Sequence, residues 1–505
     1  MRKNFATILQ ENASISETEN GAKVYSTSMD KVVDLFSRIG NRHNVDMDRL
    51  SILFKEAYEE DKELTLKMLF YARDCRGGLG VRNNFRKLYE SLSDIDIDTA
   101  IFNLHHIEEF GRYDDLIDIA YHTKHKEIKK LILNKISKEF LEQSMSGKYT
   151  LLWKWLPSIN TSSMETRNKA KMIIKHLKPE YADVKNRNEK EYIEFINYYR
   201  RELKKGRDYL NIVEKKLTEQ KYEEINYSHV PSLAMLKYNH NFLTKDSKRF
   251  KDYIDSVKSG KTKVNASVTT PYDVVHNYIA NNRKHNETLE QIWNNIPDYF
   301  DGKEHNIMCV VDVSGSMYGT PLDVAISLGL YCAEHNKGQW HNKMLTFSSR
   351  PNFIKISDNM SLRDKISKTL SADWGMNTNI KAVFDLILST AIANDVPNEE
   401  LPKQIVIISD MQFDCATGEN KKTLFKYIKK DFMKYGYDLP KLVFWNVRDA
   451  NNIYPMKKDE HGICYVSGYS PVLFKAIIDG EFIEPIDIVR KAVNIPRYEI
   501  IKVAN

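Results

Sequence analysis

The chain has 505 residues, 42% of them hydrophobic and 29% charged, with a formal net charge of +6. With a mean hydropathy of −0.51, this composition excludes both a disordered chain and a membrane-embedded one, and the length allows about two to four domains. Apolar runs such as Ile405-Val406-Ile407-Ile408 are too short to span a bilayer. Met1-Arg2-Lys3 leads into Gln10, Glu11, Asn12 and Ser14 rather than an apolar signal segment, so an intracellular, cytoplasmic location is expected. Cys75, Cys309, Cys332, Cys415 and Cys464 are widely spaced, which points to reduced buried thiols rather than disulfides or zinc.

From residue 27 to residue 282 apolar residues recur three and four apart, the signature of amphipathic helices. Helices are expected over 30–39, 47–72, 84–92, 99–110 and 127–140. Short polar or glycine-bearing turns, such as Gly77-Gly78-Leu79-Gly80 and Gly111-Arg112-Tyr113, separate them. Successive helix pairs joined by short turns predict a stacked, HEAT-like helical-repeat array. The excess of positive charge lies in this part, because residues 301–505 carry 25 basic and 25 acidic residues. Residues 167–263 hold 24 basic and 14 acidic residues, enough surplus to attract a polyanion. Arg73, Arg76 and Arg82 flank the glycine-rich turn, where they can either hold a phosphate or orient neighbouring helices.

After residue 305 the pattern changes. Continuous apolar runs at 306–313, 343–347, 404–409 and 441–447 alternate with helical segments at 321–335, 377–394 and 421–435. That alternation predicts a Rossmann-like α/β domain with a parallel sheet covered on both faces, in which ligands sit beyond the carboxyl ends of the strands. The expected division is therefore 20–300, all-α, and 301–505, α/β.

A candidate metal site falls at those strand ends. The first strand runs into Asp312-Val313-Ser314-Gly315-Ser316. Asp312 and Ser314 share a side of the extended chain, and Gly315 lets the backbone turn so that Ser316 rejoins them. Asp410 ends another strand, and Thr378 lies at the entry of a helix. Two carboxylates and three hydroxyls form an all-oxygen set suited to Mg²⁺ or Mn²⁺ rather than Zn²⁺. Uncharged Ser and Thr ligands would leave the ion electrophilic, ready for a carboxylate or phosphate from a partner. Read singly, Ser314 and Ser316 are helix caps and Asp410 a turn residue; their order along the chain favours the metal. No phosphate-binding P-loop, His-Glu-x-x-His or Gly-x-Ser-x-Gly is present, and Asp312 and Asp410 alone are too few for a two-metal nuclease. A non-catalytic protein is expected.

Asp-x-Ser-Gly-Ser-Met resembles the metal-ion-dependent adhesion site of von Willebrand factor A-type domains. The resemblance implies that Asp312, Ser314 and Ser316 form its first motif, Thr378 its second and Asp410 its third. The chain departs from many relatives in reading Met376-Asn377-Thr378 for Gly-Gly-Thr. A helical array followed by an A-type domain resembles the Ro ribonucleoproteins, whose helical TROVE module forms a ring closed by that domain. Phe70-Tyr71-Ala72-Arg73-Asp74, Glu109 to Asp115, Trp153-Lys154-Trp155-Leu156-Pro157-Ser158 and Asp410 to Asp414 are similar to an uncharacterised TROVE-related family of plants, viruses and microbes. The resemblance implies a monomeric ring that binds RNA through basic helices. Arg200, Arg201, Lys204, Lys205 and Arg207, interleaved with Tyr198 and Tyr199, are the expected contacts, followed by His229 and Lys237. The alternative for these residues is helix packing with snorkelling charges. The alternative for the whole is a metal-dependent scaffold that grips an acidic protein partner and has no RNA role.

Overall fold

The computed structural model describes residues 14–178, 190–347, 351–371, 379–414, 424–448, 453–456, 462–478 and 481–504. The chain opens with a small antiparallel hairpin, β1 (Ile15–Glu17) and β2 (Lys23–Tyr25). Helices then follow one another from Lys31 to Asn294. Many begin on an acidic or hydroxyl cap. The side chains of Asp30, Asp46, Asp96 and Ser163 each accept a hydrogen bond from the backbone N–H three residues on, satisfying one of the donors that a helix start leaves unpaired.

Two expected helices are broken. The segment 47–72 is two helices, Met47–Glu60 and Lys62–Arg73. Asp61 is extended (φ −148°, ψ 99°) and accepts from the N–H of Leu64, so it ends one helix and caps the next. The segment 99–110 is a helix Ile97–Asn103, a 3₁₀ turn Leu104–His106 and a further turn Ile107–Phe110. There the buried Asn103 amide donates both to the Thr99 carbonyl in its own helix (2.8 Å) and to the carbonyl of Lys502 near the C-terminus (2.7 Å).

The C-terminal part is built on a six-stranded sheet of β3 (Ile307–Asp312), β4 (Lys343–Phe347), β5 (Asn352–Lys355), β6 (Gln404–Ser409), β7 (Lys441–Asn446) and β8 (Ile463–Ser467). Its order is β5-β4-β3-β6-β7-β8. Every residue of β3 and β6 is buried, as their unbroken apolar runs require. The sheet is mixed rather than wholly parallel. β5 runs antiparallel to β4, because the few residues between them are too short for a crossover helix.

Both ends of the helical part pack on this domain. At the near end, Tyr25 exchanges backbone hydrogen bonds with Tyr454 (2.8 Å each way), and Lys31–Ile39 lies against β8. At the far end, the helix Pro271–Ala280 packs on Thr320–His335, with His276 Nδ1 2.7 Å from Asp323 Oδ2. The two ends meet at Tyr469. It is buried, stacks on His43, lies 5.3 Å beneath the Arg42 guanidinium, and has the Tyr272 ring 4.9 Å away.

Candidate metal centre and nucleic-acid interface

β3 and β6 are parallel neighbours at the point where the strand order reverses direction, the position where open α/β sheets bind ligands. Asp312 closes β3 and Asp410 follows β6 directly, so the sheet register sets the two carboxylates side by side. Asp312 accepts from the N–H of Ser314 (2.9 Å) and from the Ser409 hydroxyl (2.6 Å). The hydroxyls of Ser314 and Ser316 are 3.1 Å apart, and Ser316 also hydrogen-bonds Asp410. Arg448, beyond β7, brings Nη1 within 3.5 Å of Asp410 Oδ2 and donates to the Ser316 carbonyl (3.1 Å).

Burial, and the charge of Asp410 beside it, push Asp312 up to about 7. Burial likewise raises Asp410, against the pull of Gln412, Ser316 and Arg448. One partly exposed guanidinium on one carboxylate leaves the pair short of positive charge. The oxygen-only donor set and this deficit fit a hard divalent cation, which would supply the missing charge. Thr378 lies outside the described residues.

The expected nucleic-acid residues divide by helix face. Arg200, Lys204 and Arg207 stand three and four apart on the helix Lys190–Tyr209 and share a face. Together with Lys237 they line a cavity of about 930 Å³. Lys154, Lys215 and Arg112 add positive charge to its walls and Glu214 and Glu219 negative charge, Trp155 and Tyr238 add rings, and Leu203, Ile212 and Leu233 are part of its apolar lining. Arg112 lies 4.3 Å over the Trp155 ring, and Lys237 lies 5.1 Å over Tyr238. Arg207 is committed to structure, donating to the Leu156 carbonyl (2.8 Å) and the Ser158 hydroxyl (2.9 Å).

Arg201 and Lys205 are exposed and do not line the cavity, because they sit about 100° around the helix from its lining face. Lys205 is paired with Glu202 (2.7 Å). His229, on an exposed 3₁₀ turn, is also outside it. Arg73 fulfils the orienting alternative: its guanidinium reaches Asp115 at 2.7 Å, and both side chains are buried.

Residues 18–145 and 120–299 match the family described as domain of unknown function DUF2828, and residues 306–495 match that described as domain of unknown function DUF7788. The DUF2828 matches together cover 18–299, more than half of the 505 residues. The chain belongs to the DUF2828 family. It is similar to an uncharacterised protein of Acanthamoeba polyphaga mimivirus, 29% identical over 511 residues that cover 94% of this chain and 86% of that relative.

Several site residues of this DUF2828 member escape a reading by motif. Arg448 and Ser409 carry no pattern of their own and join the candidate metal centre only through sheet order. Arg112 and Trp155 lie in two stretches, Gly111-Arg112-Tyr113 and Trp153-Lys154-Trp155, that are visible in the sequence. Only the fold sets the guanidinium of one over the ring of the other. Among the described residues no helix is long and apolar enough to cross a membrane.

Proposed function

We propose that the protein is a non-catalytic RNA-binding component of a ribonucleoprotein, with a TROVE-like helical ring and a C-terminal von Willebrand factor A-type domain that holds Mg²⁺ or Mn²⁺. The supporting observation is the 930 Å³ cavity, where cations and half-buried aromatic rings share one space with apolar side chains. Lys and Arg neutralise phosphates, and Trp155 and Tyr238 offer faces on which unpaired bases stack. A stiff duplex cannot present its bases to a recessed cavity, so the substrate in this reading is single-stranded RNA.

The test is fluorescence anisotropy with a short single-stranded RNA across a salt series. Replacing Arg200, Lys204 and Lys237 by Glu is expected to weaken binding at least about tenfold and to flatten its salt dependence. Reversing Arg201 and Lys205 should have a far smaller effect. Unchanged affinity in the triple variant would overturn the reading.

Tyr318 favours a second role for the metal centre. It follows Ser316 and Met317 in the centre's first loop and is 88% exposed. An ion held by Asp312, Ser314, Ser316, Asp410 and Thr378 supplies an electrophilic position for an acidic group. Beside it, Tyr318 supplies the aromatic anchor common at protein interfaces. In this reading a protein partner is captured with Mg²⁺ present and lost with EDTA, in Asp312→Ala and in Tyr318→Ala.

A further inference from the structure

We propose that a second cavity, walled by Arg42, Arg73, Arg82 and Arg112, binds a phosphate monoester, as found at the end of an RNA strand or on a free nucleotide. The proposal deepens the RNA-binding reading and rests on it for the larger of these ligands.

The cavity measures about 470 Å³. Its arginines come from four places in the chain: the loop after Lys31–Ile39, the end of Lys62–Arg73, the approach to Asn83–Ile95 and the start of Tyr113–His122. Their countercharges are few. Asp115 pairs with Arg73 and Arg86, and Asp114 is shared by Arg82 (3.6 Å), Arg86 (3.0 Å) and Arg112 (3.1 Å). Asp118, the third carboxylate on Arg86, is itself met by Lys169. Asp273 also lines the cavity and accepts the N–H and hydroxyl of Thr270. Arg42 donates to the Leu79 carbonyl (2.8 Å), and its Nε is shielded from solvent with no hydrogen-bond partner among the described residues. Five arginines, with Arg86 included behind the wall, thus meet four carboxylates, Asp114, Asp115, Asp118 and Asp273, and the last of the four is the one that lines the cavity beside Arg42, Arg73, Arg82 and Arg112, which leaves its wall net positive. A phosphate monoester carries close to two negative charges at neutral pH, whereas an internal phosphodiester carries one.

The donors are right for that ligand as well. The helix Asn83–Ile95 has 13 residues and no side-chain cap at Arg82. Among the described residues, the backbone N–H groups of Asn83, Asn84 and Phe85 have no hydrogen-bond acceptor. Asn83 and Asn84 line the cavity, which brings the start of this helix to its wall. Gly80 lies on the same wall with φ +64°, a conformation that an L side chain rarely adopts.

Position argues for a terminal phosphate over an internal one. Arg42 packs on the buried ring of Tyr469, so the pocket ends against the C-terminal domain. On its other side it adjoins the 930 Å³ cavity, with Arg112, Leu233 and Val268 lining both spaces. A strand whose last bases lie on Trp155 and Tyr238 would therefore bring its end phosphate past Arg112 to Arg42 and Arg82.

The experiment uses the full chain and one short single-stranded RNA carrying a 5′-phosphate, a 3′-phosphate or hydroxyls at both ends, read by anisotropy. AMP and inorganic phosphate are titrated alongside by calorimetry. One phosphorylated end should bind at least about tenfold tighter than the hydroxyl form. That preference should vanish in Arg42→Gln and Arg82→Gln with binding of the hydroxyl-ended RNA unchanged. Equal affinity for all three RNAs, with neither AMP nor phosphate bound, overturns the pocket and leaves the RNA reading standing. AMP binding that the same variants abolish, in a protein that binds none of the RNAs, supports the pocket and removes the RNA reading. Should a variant fail to fold, the end preference of the unmodified protein still decides.

Discussion

Asp312 accepts two hydrogen bonds and is still raised to about 7, because burial and the neighbouring Asp410 both oppose its ionised form. In the unfolded chain an aspartate ionises near 3.9. The ion-free folded protein therefore holds a proton that the unfolded chain has released, and its stability falls as pH rises from about 4 to about 7. A shift of that size corresponds to a few kcal/mol. Urea midpoints in EDTA should thus drop between pH 5 and pH 8. Asp312→Asn should shrink the drop to what Asp34, pushed up to about 6 by burial, contributes, and Mg²⁺ should raise the pH 8 midpoint in the parent protein but not in the variant. A parent profile that is flat in EDTA would remove the charge deficit on which the metal assignment rests. Asp115 is a fully buried carboxylate that holds Arg73 and Arg86 and accepts from the N–H of Arg112 (3.0 Å). Asp115→Ala would strand the buried guanidinium of Arg73, while Arg86 keeps Asp114 and Asp118, a loss of about 3–5 kcal/mol by chemical denaturation.

Helices show how far a periodic pattern carries. Spacing alone places Arg200, Lys204 and Arg207 on one face and Arg201 and Lys205 on another, so that division is legible in the sequence. Which face meets a cavity is not, because that depends on Trp155, Leu233 and Lys237 arriving from other helices. Aspartate is equally ambiguous. Asp61 sits inside an apolar period that runs from 47 to 72, yet its cap bond to Leu64 divides the segment in two. β8 and β5 escape the alternation of strands and helices for a different reason. β8, Ile-Cys-Tyr-Val-Ser, has no helical segment of matching pattern before it, and β5 is a short edge strand with one buried residue. Gly206 carries the element-scale prediction. A Cβ there would lie 2.6 Å from the Trp153 ring, so the helix needs glycine to approach. Gly206→Ala gains helix propensity of up to about 1 kcal/mol but overpacks a buried contact at about 1–3 kcal/mol. The expected result is a lower melting temperature together with weaker RNA binding, since Arg207 and the Trp155 stretch move with that contact.

On the scale of the whole molecule, the alternation of strands and helices reveals an α/β domain and the 3.6-residue period reveals a helical one. Neither pattern shows that they share a seam. The seam is a backbone crossing, and side-chain periodicity carries no record of it. Gly40, which ends Lys31–Ile39, faces the end of β8 so closely that a Cβ would lie 2.2 Å from the Ser467 carbonyl oxygen. Gly468, with φ +102°, would place its own Cβ 2.7 Å from the Gly40 carbonyl oxygen. The Ser467 hydroxyl completes the join, donating to the Phe36 carbonyl (2.8 Å) and accepting from the N–H of Gly40 (3.0 Å). Tyr469 then binds the far end of the helical part to the same point. Gly40→Val should therefore open the seam rather than any single core. Two outcomes are expected together: separate melting of the helical and α/β parts where the parent unfolds in one transition, and faster hydrogen exchange at β8 and at Lys31–Ile39 than in β3 or β6. Tyr469→Ala should loosen the far end in the same way with β8 left protected, because it removes a ring contact and leaves the glycine crossing intact. A single cooperative transition in Gly40→Val, at the parent's melting temperature, would mean that the two parts are held together by something other than this crossing.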